Sequence, residues 1–160
     1  MDKGYYFRVL YPLQDRVIGI LSGLETGFYL AGGTAASRGY LNHRFSDDLD
    51  FFVNDDARFV LWAERLIQSL SRVPGWRLDV TLKEERFVRV GIRDGETLLK
   101  VEMINDVPAR SGEIREHPVL GRALCSATTS DWELIRWIEA PDVERFKADL
   151  DRLGESLILG

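Results

Sequence analysis

The sequence predicts an α/β (α+β) chain folded as one domain, a mixed sheet of about five strands with helices packed mainly on one face. Three observations point there. Segments with apolar residues at helical spacing alternate with short runs of strand character. Asp94-Gly95, set between two such runs, is the strongest hairpin signal in the chain, so some neighbouring strands must run antiparallel. A length of 160 residues suits one core large enough to be stable unaided.

From Leu10 to Leu24 the apolar positions Leu13, Val17, Ile18 (or Ile20) and Leu21 recur at helical spacing, and Gly23 and Gly27 suit the helix end and the turn beyond it. Phe28 to Ala31 reads as a strand, Gly32-Gly33-Thr34 as a tight turn, and Ala35 to about Leu41 as a short helix. A polar approach leads into a second strand, Asp48-Leu49-Asp50-Phe51-Phe52-Val53. Asn54-Asp55-Asp56 reads as a turn and helix N-cap. The helix that follows, Ala57 to Leu70, presents Phe59, Leu61, Trp62, Leu66, Ile67 and Leu70, and Pro74-Gly75 breaks it. Trp76 to Leu82, Phe87 to Ile92 and Leu98 to Ile104 alternate or run apolar as strands do. Asn105 to Pro118 reads as a loop. Thr128-Thr129-Ser130 caps a helix from Asp131 to about Ala140, and a last amphipathic helix runs through Phe146, Leu150 and Leu153. All four tryptophans, Trp62, Trp76, Trp132 and Trp137, fall at core spacing, which favours packing over base stacking.

Composition excludes several classes. A formal net charge of -5 argues against a protein that simply coats nucleic acid, though not against a local basic groove. The lone Cys125 removes intrachain disulfides and cysteine metal sites, and reads as a small apolar residue. Met1 to Pro12 is charged and aromatic without a long apolar core, so no signal peptide is expected. No apolar run approaches the ~20 residues of a membrane span. The expected compartment is cytoplasmic.

The chemistry concentrates between Phe28 and Val53. Strand residues two apart share a face, so Asp48 and Asp50 project together while Leu49 and Phe51 point the other way. Two adjacent carboxylates repel unless a cation lies between them, and hard divalent ions such as Mg²⁺ take oxygen ligands. The glycine turn offers backbone N–H groups at a helix start, where phosphate oxygens bind. Metal-binding carboxylates and a phosphate cradle joined by a short helix suit a nucleoside triphosphate. The competing reading of the Asp pair is a solvated strand start that keeps an edge soluble. Glu102 is the candidate third ligand, an acidic residue inside the apolar run Leu98 to Ile104, on the same strand face as Lys100. A cross-strand ion pair to Arg89 is its alternative role, and Asp79 competes with it for the third position.

The Gly-Gly-Thr turn followed by His43-Arg44-Phe45-Ser46-Asp47-Asp48-Leu49-Asp50-Phe51 resembles the nucleotidyltransferase domain of AbiEii-type toxins. These belong to the DNA polymerase β-like superfamily, whose signature is a Gly-Gly or Gly-Ser turn and then Asp-x-Asp. The resemblance covers about residues 10–105, and a short helical region follows at about 128–155. It implies a polymerase β-like minimal nucleotidyltransferase that moves NMP from an NTP to an acceptor hydroxyl. Asp48, Asp50 and Glu102 would be the catalytic and metal-holding carboxylates, with Lys100-Val101-Glu102 similar to a family Lys-x-Asp. Gly32, Gly33, Thr34, Arg44, Ser46 and Lys100 would contact the nucleotide, with Arg38 a weaker phosphate candidate. Mg²⁺, or Mn²⁺, would be the metal, RNA (such as a tRNA 3′ end) or a protein the acceptor, and a cognate antitoxin the partner, in a toxin–antitoxin or phage-defence setting with no membrane involved. Where the family carries a basic C-terminal helix, the helix at 131–140 has Arg136 as its one basic residue. Two alternatives stand beside this: a transferase acting on a small molecule of antibiotic type, and a degenerate fold that binds nucleotide or protein without turnover.

Overall fold

The computed structural model describes residues 3–41, 45–108 and 112–125. The predicted helices at 131–140 and beyond, with Trp132 and Trp137, lie outside them, as do His43 and Arg44.

Helix α1 (Tyr11–Ser22) continues a helical lead-in whose Tyr6–Leu10 segment is π-helical. Leu10, Leu13, Val17, Ile18 and Leu21 are buried along one stripe, which settles the Ile18 or Ile20 alternative for Ile18. Strand β1 (Tyr29–Ala31) leads into α2, which opens at Gly32–Thr34 and runs on as π-helical Ala35–Leu41. Strand β2 (Leu49–Asn54) is followed by α3 (Phe59–Ser71). The buried stripe of α3 is Phe59, Trp62, Ala63, Leu66 and Leu70, whereas Leu61 is 51 % exposed. A residue two places from Phe59 is turned by about 200° around a helix of ~3.6 residues per turn, so Leu61 falls on the solvent side. The turn before α3 forms, with the Asp56 carboxylate accepting from Arg58 N–H at 2.8 Å, but the helix N-cap is Arg58, without a side-chain cap, rather than the expected Asn54-Asp55-Asp56 segment.

Strands β3 (Trp76–Lys83), β4 (Phe87–Asp94) and β5 (Thr97–Asp106) form an antiparallel meander. Gly95, at φ +58°, turns the second hairpin in the backbone region that glycine tolerates best. Two further strands follow: β6 (Glu113–His117) corrects the expected loop from Asn105 to Pro118, and β7 (Gly121–Cys125) lies in a stretch with no assigned element. The sheet therefore has seven strands rather than about five, in the order β3-β4-β5-β2-β1-β7-β6. Strand β6 escaped notice because an edge strand need not alternate, and Glu113 to His117 is mostly polar. Strand β7 pairs parallel to β1, with Leu30 beside Ala123, both fully buried.

The inner strands alternate strictly. Leu49, Phe51 and Val53 of β2, Val88, Val90 and Ile92 of β4, and Leu99, Val101 and Met103 of β5 join the buried stripes of α1 and α3 in one core. Their neighbours on the opposite face are polar or only partly covered, and that face carries the carboxylates.

Candidate active site

Strands β2 and β5 run parallel, with Asp50 directly opposite Glu102 and Leu49 opposite Val101. Because side chains alternate, Asp50 and Glu102 share the outer face while Leu49 and Val101 enter the core. Asp48 stands just before β2. Two cations reach these carboxylates: Lys100 Nζ lies 2.8 Å from Asp48 Oδ2 and 3.5 Å from Glu102 Oε1, and Arg89 Nε donates to Glu102 Oε1 at 2.7 Å. Glu102 thus makes the ion pair that was its alternative role and also stands beside Asp50. Asp79 is exposed on β3, with β4 and β5 between it and β2, so it does not join them.

Three carboxylates against two cations leave one negative charge, and it falls on Asp50. Burial, with the charges of Glu102 and Asp48 added, pushes its carboxyl up to about 6. Burial also acts to raise Glu102, but its bond to Arg89 and the nearby Lys100 ammonium outweigh it and hold Glu102 below its ordinary value. Lys100 is raised, chiefly by its bond to Asp48. Among the described residues no three ligand groups stand ready around one point, since Lys100 bridges Asp48 and Glu102. The donor set still fits a hard divalent cation: it is all oxygen, and Asp50 makes no ion pair among the described residues.

The glycine turn lies against Asp50. Ala31 is opposite Asp50 in the β1–β2 register. Gly32 follows at φ +68°, and a Cβ there would stand 2.7 Å from Asp50 Oδ2. Only glycine meets both conditions without strain. Ala31 is the N-cap of α2 and makes no side-chain cap, so Gly32 to Thr34 begin the helix where the sequence predicts a tight turn before it. Gly33 sits in the same first turn. Thr34 is fully buried, its hydroxyl bonding the Asp48 carbonyl and lying 2.7 Å from the Ser46 hydroxyl. A carbonyl only accepts, so the single Thr34 proton goes there and Ser46 supplies the other bond.

Further contacts fix the approach to β2. Phe45 stacks on Tyr6 with centroids 4.3 Å apart, and Gln14 Nε2 donates to the Ser46 carbonyl at 2.9 Å. The sequence alone does not assign Gln14 this role. Its signal was position, a polar residue on the Leu10, Leu13, Val17, Leu21 stripe. Arg38, the weaker phosphate candidate, points to α1: it bonds Gln14 and Asp15 and lies over the Tyr11 ring.

Paired carboxylates on adjacent parallel strands thus stand beside a glycine turn, the arrangement that the resemblance to nucleotidyltransferases implies. Solved structures agree on the fold. JHP933 from Helicobacter pylori superposes with a TM-score of 0.55 at 20 % identity over 85 % of this chain and 56 % of that one. A putative nucleotidyltransferase from H. pylori gives 0.54 at 18 % identity, covering 99 % and 83 %. MenT4, a nucleotidyltransferase toxin from Mycobacterium tuberculosis, gives 0.52 at 22 %, covering 82 % and 47 %. The chain thus spans little more than half of JHP933 and under half of MenT4. No curated protein matches it. The family model for the nucleotidyl transferase AbiEii toxin of type IV toxin–antitoxin systems matches residues 19–117, and the chain belongs to that family. No described helix is long and apolar enough to cross a membrane.

Proposed function

We propose that this chain is a metal-dependent toxin that transfers a nucleoside monophosphate from an NTP to an acceptor hydroxyl, on RNA or on a protein side chain, and is held in check by a cognate antitoxin. The observation that carries the reading is the Asp50–Glu102 pair beside Gly32, with an uncompensated charge on Asp50. Asp48, Asp50 and Glu102 would hold Mg²⁺ or Mn²⁺, which when bound neutralises triphosphate charge and lowers the pKa of the attacking hydroxyl. In the transfer the acceptor hydroxyl gives its proton to solvent, its oxygen bonds the α-phosphorus as the bond to the bridging oxygen breaks, and pyrophosphate leaves. Gly32 and Gly33 let the backbone approach the phosphates closely. Thr34 and Ser46 act from beneath by holding the Asp48 backbone in place. Lys100 exchanges its contact with Asp48 for a phosphate oxygen, and Arg44 adds charge against the triphosphate.

A nucleotide-binding module without turnover is the second reading. One feature favours it: Lys100 stands between Asp48 and Glu102, where its charge offsets theirs. Thermal melts with Mg²⁺, with each NTP, and with both together test the site first. A ligand at a hundred times its Kd stabilises the native state by about 2.7 kcal/mol, or roughly 5–10 °C for a chain of this size. A shift needing both metal and one NTP supports the site. Label transfer from that NTP to RNA or protein, lost in Asp50→Asn, then separates enzyme from binding module. A well-folded chain that shifts in no condition sinks the proposal.

A further inference from the structure

Beside the carboxylates, on the outer face of β3, β4 and β5, lies an open groove of about 560 Å³. Its charged lining is four cations, Arg77, Arg89, Arg93 and Lys100, against one carboxylate, Asp79. Arg89 and Lys100 already serve Glu102 and Asp48. Arg77 and Arg93 do not: they stand directly opposite each other across β3 and β4, both exposed, and neither makes an ion pair among the described residues. Like charges facing each other across an antiparallel pair repel. In a chain of net charge -5 that juxtaposition asks for an anion.

Where the two cation pairs meet, the floor is Gly91, with Asp79 directly opposite it on β3 and the Leu98 side chain at its edge. Gly91 leaves the middle of β4 without a side chain, as strands do where a ligand approaches closely. Neither backbone nor packing requires glycine there: its φ is not positive, and an added Cβ would come no nearer than 3.6 Å to Leu98 Cδ1. From Arg89 to Arg93 the cations extend along β4 for about 14 Å at ~3.4 Å per residue. That is a line rather than a point, and it begins at Glu102. The glycine turn lies on the other flank of the carboxylates, beyond β2. In-line displacement places donor and acceptor on opposite sides of the reacting phosphorus. With the nucleotide at the glycine turn, the groove is left for the acceptor.

We propose that this groove binds the phosphodiester backbone of a single RNA strand, with Arg77 and Arg93 each holding a phosphate and Gly91 giving the strand its floor. The proposal rests on the transferase reading for its placement of the nucleotide. The test uses the full chain and a fluorescent mixed-sequence RNA of about twelve nucleotides, within the site sizes known for single strands, titrated over a range of salt. Arg77→Gln/Arg93→Gln should weaken binding by about tenfold or more at low salt. It should lower the slope of log affinity against log salt by about 1.4, two phosphates at ~0.7 each. Its melting temperature should equal or exceed the parent's, because a repulsion is removed. Gly91→Glu, which places an anion on the floor where there is room, should weaken binding likewise even if the double variant folds poorly.

RNA binding unchanged in both variants, or absent in the parent chain at low salt, overturns the groove. So does poly-glutamate binding as tightly as RNA, which would make the partner an acidic protein. If both variants keep RNA binding while an NTP with Mg²⁺ still raises the melting temperature, the groove fails and the transferase reading stands. If no NTP shifts the melt but RNA binding depends on the two arginines, the groove stands without it.

Discussion

Replacing Asp50 by Asn tests the electrostatics of the site without any substrate. Asp50 is raised from an ordinary value of 3.8 to about 6, with burial the largest cause and Glu102 and Asp48 behind it. In the unfolded chain none of these acts. Between pH ~4 and ~6 the folded chain therefore binds more protons than the unfolded one, and stability falls as pH rises through that window. Below it both states are protonated and there is no penalty. Above it the whole penalty is present. Two pKa units correspond to about 3 kcal/mol, and solvent screening of this half-buried group reduces that to about 1–2 kcal/mol. Asp50→Asn should thus stabilise the metal-free chain at pH 7.5 by about 1–2 kcal/mol, or roughly 2–8 °C, and by almost nothing near pH 4. Urea and thermal melts in chelator, run on both proteins across pH, measure the difference. Adding Mg²⁺ should stabilise the parent and not the variant, since only the parent keeps the charge that draws a cation. An Asn variant less stable at pH 7.5, or a difference that does not change with pH, would refute the argument that Asp50 carries the unbalanced charge.

Two further substitutions probe how the site is built. Gly32→Ala and Gly75→Ala place alanine at φ +68° and +85°, each costing about 1–2 kcal/mol in backbone conformation. Nothing lies within 4 Å of a Cβ at position 75, whereas at 32 it meets Asp50 Oδ2, so Gly32→Ala should cost more and also lose NTP-dependent stabilisation. Equal losses in urea, with nucleotide binding kept, would contradict the close approach of turn and carboxylate. Thr34→Val keeps the shape but strands the buried Ser46 hydroxyl and the Asp48 carbonyl, a cost of about 1–3 kcal/mol. Thr34→Ser should recover much of it, and a Val variant as stable as the parent would mean these bonds hold nothing.

Much of the site was legible because it is local. Asp48 and Asp50 are two residues apart, the glycine turn lies about a helix away, and the strand period alone puts both carboxylates on one face. Glu102 was legible for a different reason: an acidic residue in an apolar strand needs a partner nearby. Which partner it has depends on strand order. Arg89 faces it across β4, Asp50 across β2, and the sequence reading had those as rivals when both are neighbours.

The elements that escaped are those whose stability comes from the sheet rather than from their own pattern. Strand β6 is polar and lies at an edge, and β7 is five residues long, so neither carries a period that a short window can detect. Leu61 was misassigned for the converse reason, an apolar residue in a helix whose core stripe runs elsewhere. Gln14 and Arg38 belong to the same class. Their side chains meet Ser46, Asp15 and Tyr11 only because α1 packs beside α2, and a polar residue on an apolar stripe announces burial but not what it touches.

By itself the sequence determined which residues make strands and helices around the motif, that Asp48 and Asp50 share a face, and that a glycine turn precedes them. Local sterics and the two-residue period suffice for that. Only the tertiary structure decided that Glu102 rather than Asp79 stands beside Asp50, that Gly32 closes on its carboxylate, and that Arg77 and Arg93 face each other across β3 and β4. Each depends on which strands lie side by side and in what register, and that is set by how the whole core packs, through contacts between residues far apart in the chain.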